Sequence, residues 1–181
     1  MKGVVFTEFL EMVEDKFGFE TADAIVMDSN LPSGGVYTSI GTYDHQEMIT
    51  LLHHLNERTQ IPISDLLRNY GQHLFIRFTD LYPVFFKHAH TAFDFLESVE
   101  NHIHTEVLKL YPDAELPKFE THRRTENLLE MVYTSDRMMG HFAHGLIKGC
   151  LDYFKEDAEI KIHYLDESGK QIQFEIVKVN E

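Results

Sequence analysis

Three hydrogen-bonding side chains stand at every second position of the stretch MVYTSDR: Tyr133, Ser135 and Arg137. On a β-strand, where side chains alternate, all three would point the same way. Leu129 and Met131 lead into that face, so it starts apolar and turns polar. A phenol, an aliphatic hydroxyl and a guanidinium on one face could grip a single polar ligand, whose nature these residues alone leave open.

The twelve histidines are the other store of chemistry. His88 and His90 form one H-x-H pair, and His102 and His104 another. Two rings so spaced share a metal on a strand but lie ~200° apart on a helix, and both pairs fall in or beside a helical stretch, which argues against zinc. His141 and His144, three apart on an expected helix, could pair, although a solvated face is the simpler expectation. His104 has Val107, Leu108 and Tyr111 within two turns, and Glu100 one turn to the other side, whereas His102 sits beside Ser98, Glu106 and Lys109. His104 is therefore expected to be the half-buried one. That environment suits a core histidine, and it also suits the axial base of a haem iron.

Helical spacing of Phe6, Phe9, Leu10, Val13 and Phe17 predicts a first helix that Gly18 can end, with a short second helix over roughly 20–28. Residues 29–42 hold Pro, Gly-Gly, Ser and Thr and are expected to be a loop. Helices are expected over 43–58 and 63–79, with Ser64 as a cap for the latter. From about 84 to 111 a stripe of Ala92, Leu96, Val99, Ile103, Val107 and Leu110 predicts continued helix, stopped near Pro112. The period then changes: strands over 118–124 and 127–135, a helix over 138–155, and a hairpin in which Ile160, Ile162 and Tyr164 face Ile172, Phe174 and Ile176 across DESGK. The fold class is α+β, with helices first and ββαββ after them.

The chain of 181 residues carries a formal net charge of −14. That charge repels nucleic acid and anionic lipid, so neither is expected as a partner. Cys150 is the one cysteine, which excludes an internal disulfide and, among Leu146, Ile147, Tyr153 and Phe154, is expected to be a buried small hydrophobe. Glu8, Glu11 and Glu14 interrupt the first apolar stretch, against a signal peptide. No run approaches the ~18 apolar residues of a spanning helix. A cytoplasmic protein is the expectation.

HTEVLKLYPDAELP followed by YTSDR resembles the H-NOX (haem nitric oxide/oxygen-binding) domain, related to the haem domain of soluble guanylate cyclase. The resemblance extends from MKGVVFTEFL to the C-terminal hairpin, and the Y-x-S-x-R triplet about 30 residues after a helical histidine is its specific part. It implies a single domain over 1–181, with a distal helical lobe over 1–60 and a proximal α/β lobe over 61–181. A four-stranded antiparallel sheet belongs to the proximal lobe, and haem b lies buried between the two. It implies His104 as the iron ligand, Tyr133, Ser135 and Arg137 around the haem propionates, and Pro117 pressing on the porphyrin. Val5, Phe9, Leu74, Phe78, Phe142 and Leu146 fall at pocket-lining positions. A guanidinium and two hydroxyls suit two carboxylates, and apolar walls suit the disc. At ~3.3 Å per residue the triplet spans ~13 Å, so reaching both carboxylates requires a bend near Ser135 to Arg137.

Oxygen-binding relatives place a distal tyrosine where this chain has Phe142, and Leu74, Phe9 and Val5 offer no donor either. The resemblance thus implies a sensor of nitric oxide, with carbon monoxide also bound, rather than of oxygen; His73 and His141 are the nearest polar groups. Relatives with a structural zinc hold it with three Cys and one His, a set that Cys150 and His163 cannot complete. Stand-alone relatives regulate a separate histidine kinase or diguanylate cyclase. The expected mechanism is that nitric oxide weakens the iron–His104 bond and turns the lobes. The alternatives are an oxygen-binding H-NOX, a haem enzyme such as a peroxidase (disfavoured by the lack of distal acid–base groups), and a haem-free interaction module.

Overall fold

The computed structural model describes residues 1–179. Four helices come first: α1 (Gly3–Phe17), α2 (Phe19–Asp28), α3 (His45–Thr59) and α4 (Ile63–Leu81). Gly18, at φ 87°, breaks α1 from α2 as its sequence position suggests. The expected loop holds, and α3 starts two residues late because the Asp44 carboxylate accepts from Gln46 N at 2.9 Å and caps it there. Ser64 does not cap α4. The helix begins directly after Pro62, whose extended backbone sets the boundary and whose carbonyl accepts from Asp65 N and Leu66 N.

The expected continuous helix over 84–111 is instead four pieces. A 3-10 turn, Pro83–Phe86, is followed by non-helical residues 87–91 and by α5 (Ala92–Ser98), where Thr91 Oγ1 accepts from Asp94 N at 3.1 Å. A π-helical turn, Val99–Ile103, leads into α6 (His104–Leu110). The apolar stripe is real, but the Thr91 cap restarts the helix, and the π turn adds a residue that changes its phase.

The second half matches its pattern. Strands β1 (Lys118–Thr125), β2 (Leu128–Thr134), β3 (Ala158–Tyr164) and β4 (Gln171–Lys178) form one antiparallel sheet in the order β1-β2-β4-β3. The β3–β4 turn is held by Asp166, whose Oδ1 accepts from Gly169 N and Lys170 N. Helix α7 (Gly140–Phe154) crosses the sheet and lies along α4. It is shorter than expected at both ends, because Met138 (φ 53°) and Lys155 (φ 57°) take left-handed backbone. The α4–α7 approach depends on missing side chains: a Cβ at Gly145 would lie 2.2 Å from Arg68 O, and one at Gly71 2.3 Å from Phe142 O. Cys150 is fully buried, as expected of a small hydrophobe, with its thiol 3.7 Å from Ala92 O.

Buried apolar side chains form two clusters. One joins α1–α4 around Phe6, Phe9, Met48 and Tyr70; the other joins α5, α7 and the sheet around Phe93, Leu129 and Phe174. Leu146 packs against both. Between them lies the cavity that concerns function.

Candidate functional site

The cavity and its solvent-open mouth together span about 1520 Å³ of non-atom space. Its far wall comes from three regular helices. Val5 of α1, Leu74 and Phe78 of α4, and Phe142 and Leu146 of α7 line it. The glycine-mediated approach of α4 to α7 brings the last four together. None carries a hydrogen-bonding side-chain atom.

Phe9 is not in the lining. It is fully buried within the helical cluster, its edge on Tyr70 at 5.2 Å, and Tyr70 stacks on Phe142 at 5.1 Å. The Tyr70 hydroxyl lies close behind the wall but donates to Val5 O. His73 and His141 also stay out of the lining: His73 Nε2 is 4.0 Å from Glu8 Oε2, and His141 Nε2 lies 3.3 Å from the Tyr164 hydroxyl.

The opposite wall is irregular and polar at chosen points. His104 opens α6, and its amide bonds to Val99 O five residues back across the π turn. The turn leaves Val99, Ile103, His104 and Val107 all lining the cavity. The imidazole is 15% exposed, while His102 is exposed. His104 Nδ1 lies 3.2 Å from Glu100 Oε2, and the same oxygen accepts from Phe119 N at 3.0 Å. A carboxylate can only accept here, so Nδ1 carries the proton and Nε2 keeps a lone pair. Burial pushes the His104 pKa down and outweighs the upward pull of Glu100, which favours the neutral, ligating form.

Tyr133 faces the cavity from β2 and is 3% exposed, with its oxygen accepting from Met139 N at 3.0 Å, so the O–H remains free to donate. Ser135 and Arg137 follow the end of β2, where the chain turns toward α7. Ser135 N keeps a sheet-like bond to Lys170 O, and Ser135 Oγ accepts from Arg137 N at 3.2 Å. The Arg137 side chain, 16% exposed, donates to Glu115 O at 2.8 Å and Glu115 Oε2 at 2.9 Å. Pro117 lines the cavity from the linker just before β1. Three donors of different kinds thus meet at one edge of an apolar cavity, and a single ligating nitrogen sits on one wall.

Glu100 is the functional neighbour that motif reading did not single out. Its spacing of four residues before His104 is visible in the sequence, but its bond to Phe119 N, nineteen residues on, is not. The paired hydroxyls of Tyr82 and Tyr111, 2.9 Å apart, also line the cavity and belong to no motif. His141 and His144 correct the solvated-face expectation. Their Nδ1 atoms are buried without partners, and burial, reinforced by Arg68, pushes His144 down to about 4.

Comparison with known proteins bears on the fold and the family. No curated protein matches. Residues 2–162 match the Haem-NO-binding family. The ferrous unliganded H-NOX protein from K. algicida is 46% identical, with 100% of this chain and 98% of that one covered and a TM-score of 0.95. An H-NOX from Shewanella woodyi, solved in its Fe(II)CO state with the compound IWP-051 bound, is 40% identical over 99% of this chain and 95% of that one, with a TM-score of 0.85. The chain belongs to the Haem-NO-binding, or H-NOX, family.

Proposed function

We propose that the cavity holds haem b with His104 as axial ligand, and that the protein is a sensor of nitric oxide that also binds carbon monoxide. The donor set fits that group. A lone-pair nitrogen steadied by a carboxylate is the usual arrangement of an iron-ligating histidine. The Arg137 fork and the Tyr133 and Ser135 hydroxyls suit two propionates, and Pro117 and the helical wall suit the faces of a flat apolar disc. His104 would hold the group through Nε2, and ferrous haem held there would supply an iron able to take a diatomic gas.

One observation carries the choice of gas. Val5, Leu74, Phe78, Phe142 and Leu146 give the far wall no donor, and the Tyr70 hydroxyl behind it is committed to Val5 O. Oxygen needs a hydrogen bond to its partial negative charge, and nitric oxide needs it far less.

His104 is also placed to report its state. Through one oxygen of Glu100 it is tied to the amide of Phe119, the second residue of β1. A change in what His104 Nε2 holds therefore alters the α6–β1 junction and the surface above it. A lobe of residues 1–60 turning against 61–181 is the two-state element that such a shift would bias. The receiver is a separate histidine kinase or diguanylate cyclase, and the setting is cytoplasmic.

The test is a spectrum and a variant. Protein supplied with haem is expected to show a Soret band, and His104→Gly without added imidazole is expected to lose most of it. A His104→Gly protein that still held haem and still controlled its partner in response to nitric oxide would overturn the reading. No Soret band in the unaltered protein would leave a haem-free interaction module.

A further inference from the structure

Behind the apolar wall lies a charged group that gas binding itself does not need. Glu8 of α1 is buried, its side chain 7% exposed, in a segment otherwise given to core packing. Arg77 of α4 donates to both its oxygens, from Nε to Oε2 at 2.6 Å and from Nη2 to Oε1 at 3.4 Å. His73, one turn back on α4, has its Nε2 buried without a hydrogen-bond partner, 4.0 Å from Glu8 Oε2. Only the carboxylate of this pair is buried; the Arg77 side chain is 35% exposed, and an ion pair with one partner open to solvent adds little stability.

Its position suggests another use. On α4, Tyr70, Leu74 and Arg77 follow one another at i, i+4 and i+7, along one stripe of the helix. Tyr70 is tied to α1 through Val5 O, and Arg77 is tied to α1 through Glu8. Leu74 lies between these two ties and lines the cavity with Val5. Any path for a gas between α1 and α4 must part the helices between a core tyrosine and a charged pair. The tyrosine is fully buried and packed against both Phe9 and Phe142, so the ion pair is the tie that can open.

We propose that Glu8 and Arg77 are positioning residues that hold α1 against α4 and so set the rate at which a diatomic gas passes the apolar wall. This rests on the reading that the cavity binds haem and a gas. Glu8 acts as the shared anchor. Glu11, also within 3.5 Å of Arg77 but 60% exposed, is a solvent-side contact without that role.

The test uses haem-loaded protein and flash photolysis of its carbon monoxide complex, with the C–O stretch recorded alongside. Glu8→Gln and Arg77→Met are each expected to speed gas escape and return by at least about threefold, and the double variant by no more than the larger single effect. Arg77→Lys, which keeps the cation but not the planar fork, is expected to fall between, and Glu11→Gln to match the unaltered protein. Should the two removals prevent haem loading, Arg77→Lys against Glu11→Gln decides the matter. The proposal is overturned if variants that load haem show unaltered rates and only a lower melting temperature, or if Glu11→Gln shifts the rates as much as Glu8→Gln. Those outcomes leave the haem-binding reading intact, whereas an unaltered protein with no Soret band fails that reading instead.

Discussion

The two walls of the cavity are made in opposite ways. The wall of Val5, Leu74, Phe78, Phe142 and Leu146 comes from the regular helices α1, α4 and α7, and behind it Tyr70 is engaged with Val5 O and Glu8 with Arg77. The facing wall and edge, apart from Tyr133 on β2, draw their polar groups from broken structure. His104 follows a π turn, Pro117 sits in a linker, and Ser135 and Arg137 follow the end of a strand. A wall that must only exclude donors can be built by packing. Aiming particular polar atoms at a shared ligand takes departures from regular geometry, because helix and strand offer few directions for a side chain.

The largest effects are expected where that polar wall is undone. Glu100→Ala leaves His104 Nδ1 without its acceptor and frees Phe119 N. Loss of such a partner costs about 10–100-fold in metal affinity, and haem release to a scavenging apoprotein is expected to quicken accordingly. Glu100→Gln, whose amide oxygen still accepts, should fall short of that. Equal loss in both would mean that the contact is not what steadies His104.

The apolar wall should answer to volume instead. In Gly145→Ala the new Cβ meets Arg68 O. Overpacking of this kind costs about 1–3 kcal/mol, and thermal unfolding should come several degrees lower, with the Soret position unchanged. A stable Gly145→Ala protein would show that α4 and α7 can separate freely, and that the wall is softer than described.

A smaller effect is expected from acid. Burial lowers the pKa of His144 to about 4 and lowers those of His73 and His141, all on helices behind the apolar wall. The unfolded chain takes up these protons near pH 6.5, so their contribution is full above that pH and fades as pH falls through about 4. Chemical denaturation at pH 7 and pH 5 should show lower stability at pH 5, with a smaller difference in His144→Asn. An equal difference would place the acid sensitivity elsewhere.

Much of this architecture is legible in the sequence. Periodicity locates α1 to α4, the sheet and α7, because apolar spacing follows directly from which face is buried. The helical neighbours of His104 distinguish it from His102, and the bend required of Ser135 and Arg137 follows from strand dimensions. What is not legible depends on contacts between distant residues or on irregular backbone. The break of 84–111 at Thr91 and the π turn before His104 leave the apolar stripe intact, so spacing cannot expose them. Phe9 has the right type for a lining residue, but it packs against Tyr70, far along the chain on α4. Glu8 reads as one of three acidic residues interrupting an apolar stretch, and only the fold brings Arg77 beside it.

The proposed preference for nitric oxide over oxygen rests on an apolar wall without donors. Its most direct test is the absorption spectrum of the reduced, haem-loaded protein, under nitric oxide and then separately in air, with Phe142→Tyr measured in parallel. Nitric oxide is expected to move the Soret band to the five-coordinate position. Air is expected to leave the unaltered protein unliganded, and the added hydroxyl of Phe142→Tyr to let an oxygen-bound spectrum appear. A stable oxygen-bound spectrum in the unaltered protein would contradict the proposed preference.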